Sequence, residues 1–425
     1  MSEWATVRLA DVADIRFSNV DKKSIPGEPH VRLCNYMDVY ANDYIAAELP
    51  FMEATASQAE IERFRVEKGD VLLTKDSETP DDIGIPSVVV EDIQALVCGY
   101  HLALIKPRKD KVDSVYLAKQ LSSKQTAIYY SKLANGSTRY GLSSSAIANT
   151  AIPLAPLPHQ RRIAEILSTL DEAIEQTEAL IAKMQQVKAG LMHDLFTRGV
   201  TPDGRLRPTR EQAPELYKES PLGWIPREWE VFETDAKVNV IDPQPDHRTP
   251  PEVLDGYPYV GIGDVTATGD LDFIAARKVS YAAFSKQFQS FEIHPGAFIF
   301  GKIGTIGQPT RIPHNRFFAI SANVVLLTAK LKDDADFVCW VYNSAIIDAQ
   351  IADATNTTSQ PALSIQRVRK FLVPWPNSPE ERDQIVSRLE AVSQTLQAEE
   401  QNREKLNFQK YGLMHDLLNG KTRFF

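Results

Sequence analysis

The sequence has few of the features that usually indicate chemistry or export. Its three cysteines, Cys34, Cys98 and Cys339, are an odd number and lie too far apart in the chain for a metal-ligand spacing. They predict no disulfide framework and fit a reducing compartment. The first residues lack a basic region followed by an apolar run, and no stretch approaches about 18 uninterrupted apolar residues. We therefore expect a cytoplasmic protein without a membrane span.

Net positive charge is also absent. The formal net charge is -9 at pH 7 and the sequence pI is about 5.5. This balance argues against a protein that coats nucleic acid non-specifically. Any contact with phosphates must come from local patches, or basic partner subunits must supply the neutralising charge.

Complete catalytic motifs are missing too. The run Gly296 to Ile303 approaches a phosphate-binding loop, but Ile303 replaces the hydroxyl residue that would hold magnesium, and the residues between are apolar and strand-like. We find no Asn-Pro-Pro-Tyr-like methylase motif and no convincing nuclease motif. His193 and His415 have no second histidine or cysteine at ligand spacing. We expect no catalysis, no cofactor and no metal in this chain.

What the sequence does contain is an internal repeat. The six residues Gly190 to Leu195 recur letter for letter as Gly412 to Leu417, at an offset of 412 - 190 = 222. Other matched pairs lie further upstream: Phe64 with Phe291, Gly69 with Gly296, Lys75 with Lys302, Tyr116 with Phe337, Leu142 with Leu363 and Pro153 with Pro374. Two equivalent units can create a pseudo-twofold axis, and duplex DNA is the commonest ligand with two related halves.

The better-matched part of each copy predicts a long helix with a heptad seam, because apolar residues alternate in steps of four and three. The first seam is Ile163, Leu167, Leu170, Ile174, Ile181, Met184, Leu191 and Leu195. The second is Ile385, Leu389, Val392, Leu396, Leu406, Leu413 and Leu417. We expect helices over 156–199 and 377–425 that pair within the chain as an antiparallel coiled coil with pseudo-twofold symmetry. An intermolecular coiled coil is the alternative.

Lysines occupy matching seam positions, and glycines lie at matching points near the helix ends. Lys188 and Lys410 are interpreted as register-setting sites or partner contacts. Gly190 and Gly412 each cost about 1 kcal/mol inside a helix, and we expect close backbone approach at both. At the second helix start, Ser378 is the expected cap, Pro379 the first helical residue and Glu381 the capping-box glutamate.

The diverged parts, 1–155 and 226–376, predict α/β (α+β) domains with short strands. Candidate strands are 31–35, 71–75, 97–105, 259–262, 297–302 and 318–328, and apolar helical patterns follow at 115–130 and 337–351. The segment 200–225 is interpreted as an exposed linker, because it is polar and contains Pro202, Pro208 and Pro214.

Short runs at the domain and helix entries carry a resemblance to a known family. The helices open with Pro156-Leu157-Pro158-His159-Gln160 and Ser378-Pro379-Glu380-Glu381-Arg382, and the second domain opens with Ser220 to Val231. Together with Gly69 to Lys75, Gly296 to Lys302 and the repeat, the whole chain resembles the specificity subunit of a type I restriction-modification system. The helix openings are imperfect versions of that family's proline-rich entry ending in Glu-Gln.

The resemblance implies two target recognition domains, each reading one half of a split sequence in double-stranded DNA, with two spacer helices that set the gap. Two modification subunits would dock on the helices and methylate adenine with S-adenosylmethionine. Restriction subunits would add translocation and cleavage driven by ATP and Mg²⁺. This chain would then be non-catalytic. A self-contained restriction and methylation enzyme, or a coiled-coil scaffold that binds no DNA, are the alternatives.

Candidate DNA contacts are polar and basic residues on loops near strand ends. They are Lys75, Arg139, Tyr140, Lys302, Thr305, Gln308, Arg311 and Gln360. For the two lysines the alternative is a solvated surface side chain. The loops around Arg139 and Gln360 could read bases, since arginine suits guanine and glutamine suits adenine. The alternative for these loops is a helix-capping role.

Overall fold

The computed structural model describes residues 4–244, 248–266, 269–355 and 362–421. The chain forms two compact units, one comprising Met1–Glu178 with Asn402–Phe425, the other Ala179–Gln401. The division falls inside both long helices. Each unit therefore combines one α/β domain with the start of one long helix and the end of the other.

The domain of the first unit is built from short strands and helices. Its strands are β1 Ala5–Arg8, β2 Ala13–Phe17, β3 His30–Cys34, β4 Tyr44–Ile45, β5 Met52–Thr55, β6 Val71–Thr74, β7 Asp76–Ser77, β8 Pro86–Val89, β9 Leu96–Cys98, β10 Leu102–Pro107, β11 Tyr140–Gly141 and β12 Ala151–Leu154. Its helices are α1 Leu9–Val12, α2 Tyr36–Tyr40, α3 Gln58–Phe64, α4 Ser114–Leu121, α5 Lys124–Leu133 and α6 Ser144–Ala148, before the long α7 Leu157–Thr197.

The domain of the second unit follows a similar but not identical order of elements. Its strands are β13 Tyr217–Ser220, β14 Gly223–Pro226, β15 Glu230–Glu233, β16 Val238–Ile241, β17 Glu252–Val260, β18 Lys278–Val279, β19 Phe298–Gly301, β20 Gly307–Arg311, β21 Ala319–Ile320, β22 Val324–Ala329 and β23 Leu372–Trp375. Its helices are α8 Thr234–Lys237, α9 Tyr281–Phe288, α10 Ala335–Tyr342, α11 Ala345–Thr355 and α12 Ile365–Arg369, before the long α13 Pro379–Leu418.

Sheet topology repeats between the two domains. The order β2-β10-β6-β8 of the first main sheet, which β4 extends, corresponds to β16-β22-β19-β20 in the second. The three-stranded sheets β5-β3-β9 and β18-β17-β21 correspond as well, and so do the pairs β1-β12 and β15-β23. The duplication seen in the sequence is therefore a duplication of the fold, and the α/β class with two tandem domains is confirmed.

Several expected elements are subdivided by turns. The apolar run 97–105 forms two strands, β9 and β10, because the chain turns at Gly99, Tyr100 and His101. The helical pattern 115–130 forms α4 and α5, since Ser123 caps α5 by accepting a hydrogen bond from the backbone N–H of Thr126. The pattern 337–351 is divided in the same way into α10 and α11.

The long helices pair end to start within each unit. In the first unit, Ile163 and Leu167 near the start of α7 share a core with Leu417 and Leu418 at the end of α13. In the second unit, Leu195 at the end of α7 shares a core with residues near the start of α13. Both pairings are antiparallel. All the seam residues given above are buried or half-buried except Leu413, which is 37% exposed.

The start of each long helix is held by the side chain at its fourth residue. Gln160 of α7 is fully buried, donates to the carbonyl of Ala155 at 2.8 Å and accepts from the backbone N–H of Asp113 at 2.8 Å. Arg382 of α13 donates to the carbonyl of Pro376 at 2.7 Å and to the carboxylate of Asp334 at 2.8 Å. The two openings, dissimilar in sequence, thus make equivalent connections to their domains.

The second helix start differs from the expected capping box. Ser378 does cap the helix, accepting from the backbone N–H of Glu381 at 3.2 Å. The carboxylate of Glu381, however, accepts from the backbone N–H of Val200 at 2.9 Å and forms a buried ion pair with Arg207. Arg207 and Tyr217 are both buried. The segment 200–225 is therefore anchored at these points and is less exposed than its composition suggests.

The two seam glycines do not mark close packing, so that expectation is wrong. A Cβ atom added at Gly190 or Gly412 would meet no neighbouring atom within 4 Å. Gly199 is different, because it ends α7 with φ +60° and a Cβ there would overlap Glu381 and Trp229. Its left-handed backbone and its crowded surroundings both require glycine.

We predict opposite effects for alanine at these two kinds of position. Gly199→Ala should lower the free energy of unfolding by about 2 kcal/mol or more, since the left-handed backbone alone costs an L-residue about 1–2 kcal/mol. Gly190→Ala should raise it by up to about 1 kcal/mol through helix propensity. Urea unfolding of the full chain measures both. Equal destabilisation by the two variants would contradict this account.

Candidate nucleic-acid interface

The interface in the first domain is organised around the turn that follows β6. The backbone N–H of Lys75 donates to the carbonyl of His101 at 3.1 Å. The carbonyl of Lys75 accepts from the backbone N–H of Leu142 at 2.9 Å. Three loops that are distant in sequence are thereby tied together at one end of the main sheet.

The second domain repeats this backbone arrangement after β19. The N–H of Lys302 donates to the carbonyl of Asn323 at 2.8 Å, and the carbonyl of Lys302 accepts from the N–H of Leu363 at 2.8 Å. The repeat pairs Lys75 with Lys302 and Leu142 with Leu363, so these residues are structurally equivalent. Their side chains nevertheless have different surroundings.

The ammonium group of Lys75 is half-buried between aromatic rings and a backbone carbonyl. Its Nζ donates to the carbonyl of Ser18 at 3.2 Å and lies 4.8 Å from the ring centre of Tyr100 and 5.6 Å from that of Phe17. Contacts of a cation with ring faces hold it in place. Because an ammonium group has three donors, a pre-positioned Lys75 retains the capacity to bind an anion.

Carboxylates on the neighbouring loop are occupied by internal hydrogen bonds. Asp76 Oδ2 lies 2.8 Å from His101 Nδ1, and Asp82 accepts from the hydroxyl of Tyr40 at 2.8 Å. Asp81 accepts from the hydroxyl of Ser131 at 2.7 Å. Burial, with a smaller contribution from nearby carboxylates, raises the pKa of Tyr36 above its usual value. These acidic side chains organise the loop.

Arg139 and Tyr140 lie close to Lys75. Strand β11 pairs with β7, which begins directly after Lys75, so that Tyr140 is opposite Ser77. Arg139 is exposed on the turn that precedes β11. The structure therefore brings three of the sequence-derived candidates together at one sheet end.

Three aromatic residues at this sheet end are not among the candidates that the sequence suggests. Tyr36 and Tyr40 stack with ring centres 5.5 Å apart, and Tyr100 packs edge-on against His101 at 4.9 Å. Tyr40 and Tyr100 are exposed. The turn at Gly99 to His101 is not predicted, because the apolar pattern over 97–105 indicates one continuous strand. The glycine directly before Tyr100 was the signal that could have revealed the turn.

In the second domain the equivalent lysine is enclosed. The side chain of Lys302 is 5% exposed, and its Nζ lies 3.4 Å from Asp242 Oδ1. A direct contact of Lys302 with phosphate would require this pair to separate, at the cost of leaving a buried charge uncompensated.

Thr305, on the turn between β19 and β20, and Gln308, the second residue of β20, are both exposed. Gln308 has φ +54°, and Gly304 and Gly307 in the same hairpin have φ of +77° and +88°. A non-glycine residue in the left-handed region is uncommon and is frequently found at functional sites. This hairpin presents an amide side chain on a defined backbone.

Two further candidates are not part of this group. Arg311 lies at the far end of β20, where it pairs with Asp336 of α10 and approaches Glu390 of α13 at 3.6 Å. Gln360 lies outside the described residues. The described part of the second interface therefore consists of Lys302, Thr305, Gln308 and the adjoining loop at Asn323.

The described residues contain no group of three or more histidine, cysteine or acidic side chains that could hold a metal ion. In the same part of the chain, no helix is both long and apolar enough to cross a membrane. All three cysteines are free and buried, and burial raises the pKa of Cys339 to about 11.

The fold defines a class of protein in which one α/β domain and one long helix occur twice in a single chain. The model of the type I restriction modification DNA specificity domain matches this chain twice, over residues 1–186 and 227–407. The chain belongs to this family, whose role is DNA sequence specificity. The resemblance noted from the sequence is thus confirmed.

Individual relatives are distant. The chain is 21% identical to the type I restriction enzyme MjaVIII specificity subunit of Methanocaldococcus jannaschii, over 99% of this chain and 93% of that protein. It is 25% identical to the putative MjaX specificity subunit of the same organism, over 54% of this chain and 52% of that protein. With the EcoBI specificity subunit of Escherichia coli it shares 23% identity, over 59% of this chain and 53% of that protein.

Solved structures share the fold over nearly the whole length. The S subunit of the type I restriction-modification system from M. genitalium superposes with a TM-score of 0.59 at 13% identity, covering 98% of this chain and 96% of that one. A chain from a structural study of complex assembly and conformational transition in a type I system superposes with a TM-score of 0.54 at 16% identity. That match covers 99% of this chain and 98% of the other.

We predict that Arg139→Ala weakens DNA binding several-fold and lowers the slope of log affinity against log salt by about one if the guanidinium contacts phosphate. A contact with a base would instead relax one position of the target, worth about 1–3 kcal/mol of discrimination. Fluorescence anisotropy at several salt concentrations, on the full chain with its partner subunits, separates these results.

Lys68→Ala is the matched control for Arg139→Ala. Lys68 is exposed before the start of β6, at the opposite end of the strand from Lys75. Its removal should leave affinity and salt slope unchanged. If both variants had the same effect, the assignment of this sheet end as the interface would be wrong.

Proposed function

We propose that this chain is the DNA-recognition subunit of a type I restriction-modification complex, with each α/β domain reading one half of a bipartite target in double-stranded DNA. The observation that carries this proposal is the repeated turn at Lys75 and Lys302, where the backbone hydrogen bonds are the same and the side chains differ. A constant scaffold with a variable surface is what two domains need to read two different half-sites.

The long helices are proposed to set the gap between the half-sites, with the two copies related by a pseudo-twofold axis. Helices α7 and α13 contain 41 and 40 residues, which corresponds to about 60 Å each at about 1.5 Å per residue. Antiparallel pairing within each unit supports this role, because paired helices with a buried seam resist compression and bending better than a single helix.

Two modification subunits are proposed to dock on equivalent helix surfaces. The repeated hexapeptide includes residues outside the cores, since Gly190, His193, Gly412 and His415 are all exposed. Core packing therefore does not explain their identity in both copies. Two identical partners, each contacting one copy, do explain it.

We further propose that chemistry resides in the partners. The modification subunits would bring S-adenosylmethionine, and the restriction subunits would bring ATP and Mg²⁺ for translocation and cleavage, in the cytoplasm. This chain would hold none of these groups. The alternatives of a self-contained enzyme and of a scaffold that binds no DNA are less well supported, because the specificity-domain match spans both copies.

Methylation mapping of a cell that contains the complete system tests this function. We expect one bipartite sequence with a fixed gap. Inserting four residues into each of α7 and α13 adds about 6 Å, which is about two base pairs at roughly 3.4 Å each, and such an insertion is a stutter that a coiled coil accommodates. The gap should lengthen by about two base pairs while both half-sites stay the same. An unchanged gap would refute the spacing role.

Bulky substitutions at the exposed glycines test the docking surfaces. Gly412→Trp should prevent one of the two modification subunits from binding, and Gly190→Trp the other, because an indole occupies the space that a partner helix would use. Native mass spectrometry of the co-expressed complex reports the stoichiometry. Gly190→Ala is the control and should retain two partners. Full stoichiometry in both tryptophan variants would place the docking surface elsewhere.

A further inference from the structure

A network of opposite charges lies between the first domain and the long helices. The side chain of Asp171 in α7 is 8% exposed. It forms ion pairs with Lys119 of α4 at 2.6 Å and with Lys410 of α13 at 2.7 Å. Asp43, in the loop before β4, forms ion pairs with the same two lysines at 3.0 and 3.3 Å. We name Asp43, Lys119, Asp171 and Lys410 the seam network. All four residues belong to the first unit.

A tyrosine extends the seam network into the main sheet. The hydroxyl of Tyr44 in β4 donates to Asp171 Oδ2 at 2.6 Å and lies 3.1 Å from the hydroxyl of Ser168, and Lys119 Nζ lies 4.9 Å from its ring centre. The contact between Lys410 and Asp171 Oδ1 is an ion pair and not an aligned hydrogen bond. The carboxylate of Asp171 in α7 therefore contacts both the domain and α13.

Two members of the seam network, Asp43 and Lys410, have pKa values shifted in the direction that favours their charged forms. Burial alone would raise the pKa of Asp43, but Lys119 and Lys410 lower it below its usual value. Burial would lower the pKa of Lys410, yet Asp43 and Asp171 raise it above its usual value. Such partly buried pairs add little net stability compared with apolar residues of similar size, and their best-attested role is to set register.

The duplicated positions in the second unit lack this charge balance. By the repeat, Asp171 corresponds to Ser393, Lys119 to Trp340 and Lys410 to Lys188. Lys188 Nζ lies 5.2 Å from the ring centre of Trp340, and both Ser393 Oγ and Trp340 Nε1 are buried without a hydrogen-bond partner. The lysine is thus common to both copies, whereas the buried carboxylate of Asp171 is replaced by the hydroxyl of Ser393.

This difference shows that the helix seam does not require a charge network in order to form. Apolar contacts are non-directional and allow one surface to slide over another. A set of four alternating charges has preferred distances, so sliding the domain along the helices by a few ångströms would separate its pairs. One base-pair step is about 3.4 Å, so such a slide matters for DNA reading.

We propose that the seam network fixes the first recognition domain in position on the helices, and that its members are positioning residues for the gap that the complex accepts between half-sites. This inference rests on the proposed function. It assigns to the first domain a register device that the second domain lacks.

The test uses the full complex and a library of targets in which the half-sites are constant and the gap varies by single base pairs. The double variant Lys119→Met with Asp171→Leu removes one positive and one negative charge and leaves Asp43 to pair with Lys410. Methylation at gaps one base pair longer or shorter than the native gap should rise at least tenfold relative to the unaltered chain. Both half-site sequences should stay the same.

Lys188→Met is the matched control, because it removes the equivalent lysine from the second unit, where Ser393 takes the place of Asp171. It should leave the gap profile unchanged. Asp171→Asn provides a second variant if the double variant fails to fold, and it should broaden the gap profile in the same direction. Thermal unfolding of each variant separates loss of register from loss of stability.

The outcomes distinguish this inference from the proposed function. An unchanged gap profile in a folded double variant, or in Asp171→Asn, overturns the inference and leaves the proposed function intact. Equal broadening by Lys188→Met also overturns it, because the effect would then belong to the helix seam in general. Failure of the unaltered complex to methylate any bipartite target overturns the proposed function, and the inference with it.

Discussion

Antiparallel pairing of two long helices, the start of one against the end of the other, is the constraint on which the rest of this structure depends. In each unit the pairing provides one side of the domain core, through Ile163 and Leu417 in the first and through Leu195 and Ile385 in the second. Each domain is therefore completed by chain segments from both halves of the sequence. Neither copy of the repeat holds all of its own core, which explains why the helices have remained similar while the domains diverged.

The domains combine a constant backbone with variable side chains. Gln160 and Arg382 differ in chemistry but make equivalent bonds to the segment before their helix. Lys75 and Lys302 have the same backbone partners, while one ammonium group contacts an aromatic ring and the other faces a buried carboxylate. Backbone hydrogen bonds do not depend on side-chain identity, so surface residues can change without loss of the scaffold. A family concerned with DNA sequence specificity depends on that separation.

Exposure divides the repeat into residues that belong to the cores and residues that do not. Buried members of the hexapeptide, such as Leu195 and Leu417, belong to the cores. Its exposed members, Gly190 and Gly412 among them, have open space around them. The seam network is the opposite case, because Asp171 and Lys119 are buried, polar and present in one copy only. Identity at exposed positions is therefore not required by either core, and the buried difference at Asp171 shows that the two helix seams are not chemically equivalent.

The sequence by itself determined the duplication, the two domains, the heptad seams and the family, because periodicity and repeated letters are local properties of a chain. It also located Lys75, Arg139 and Tyr140, which the structure brings together. Tertiary structure alone decided that Lys302 is enclosed by Asp242, that Arg311 pairs with carboxylates away from the hairpin, and that Tyr100 lies beside Lys75. Whether a charged side chain is free depends on residues 25 to 60 positions away. Folding brings such partners together, and sequence spacing does not reveal them.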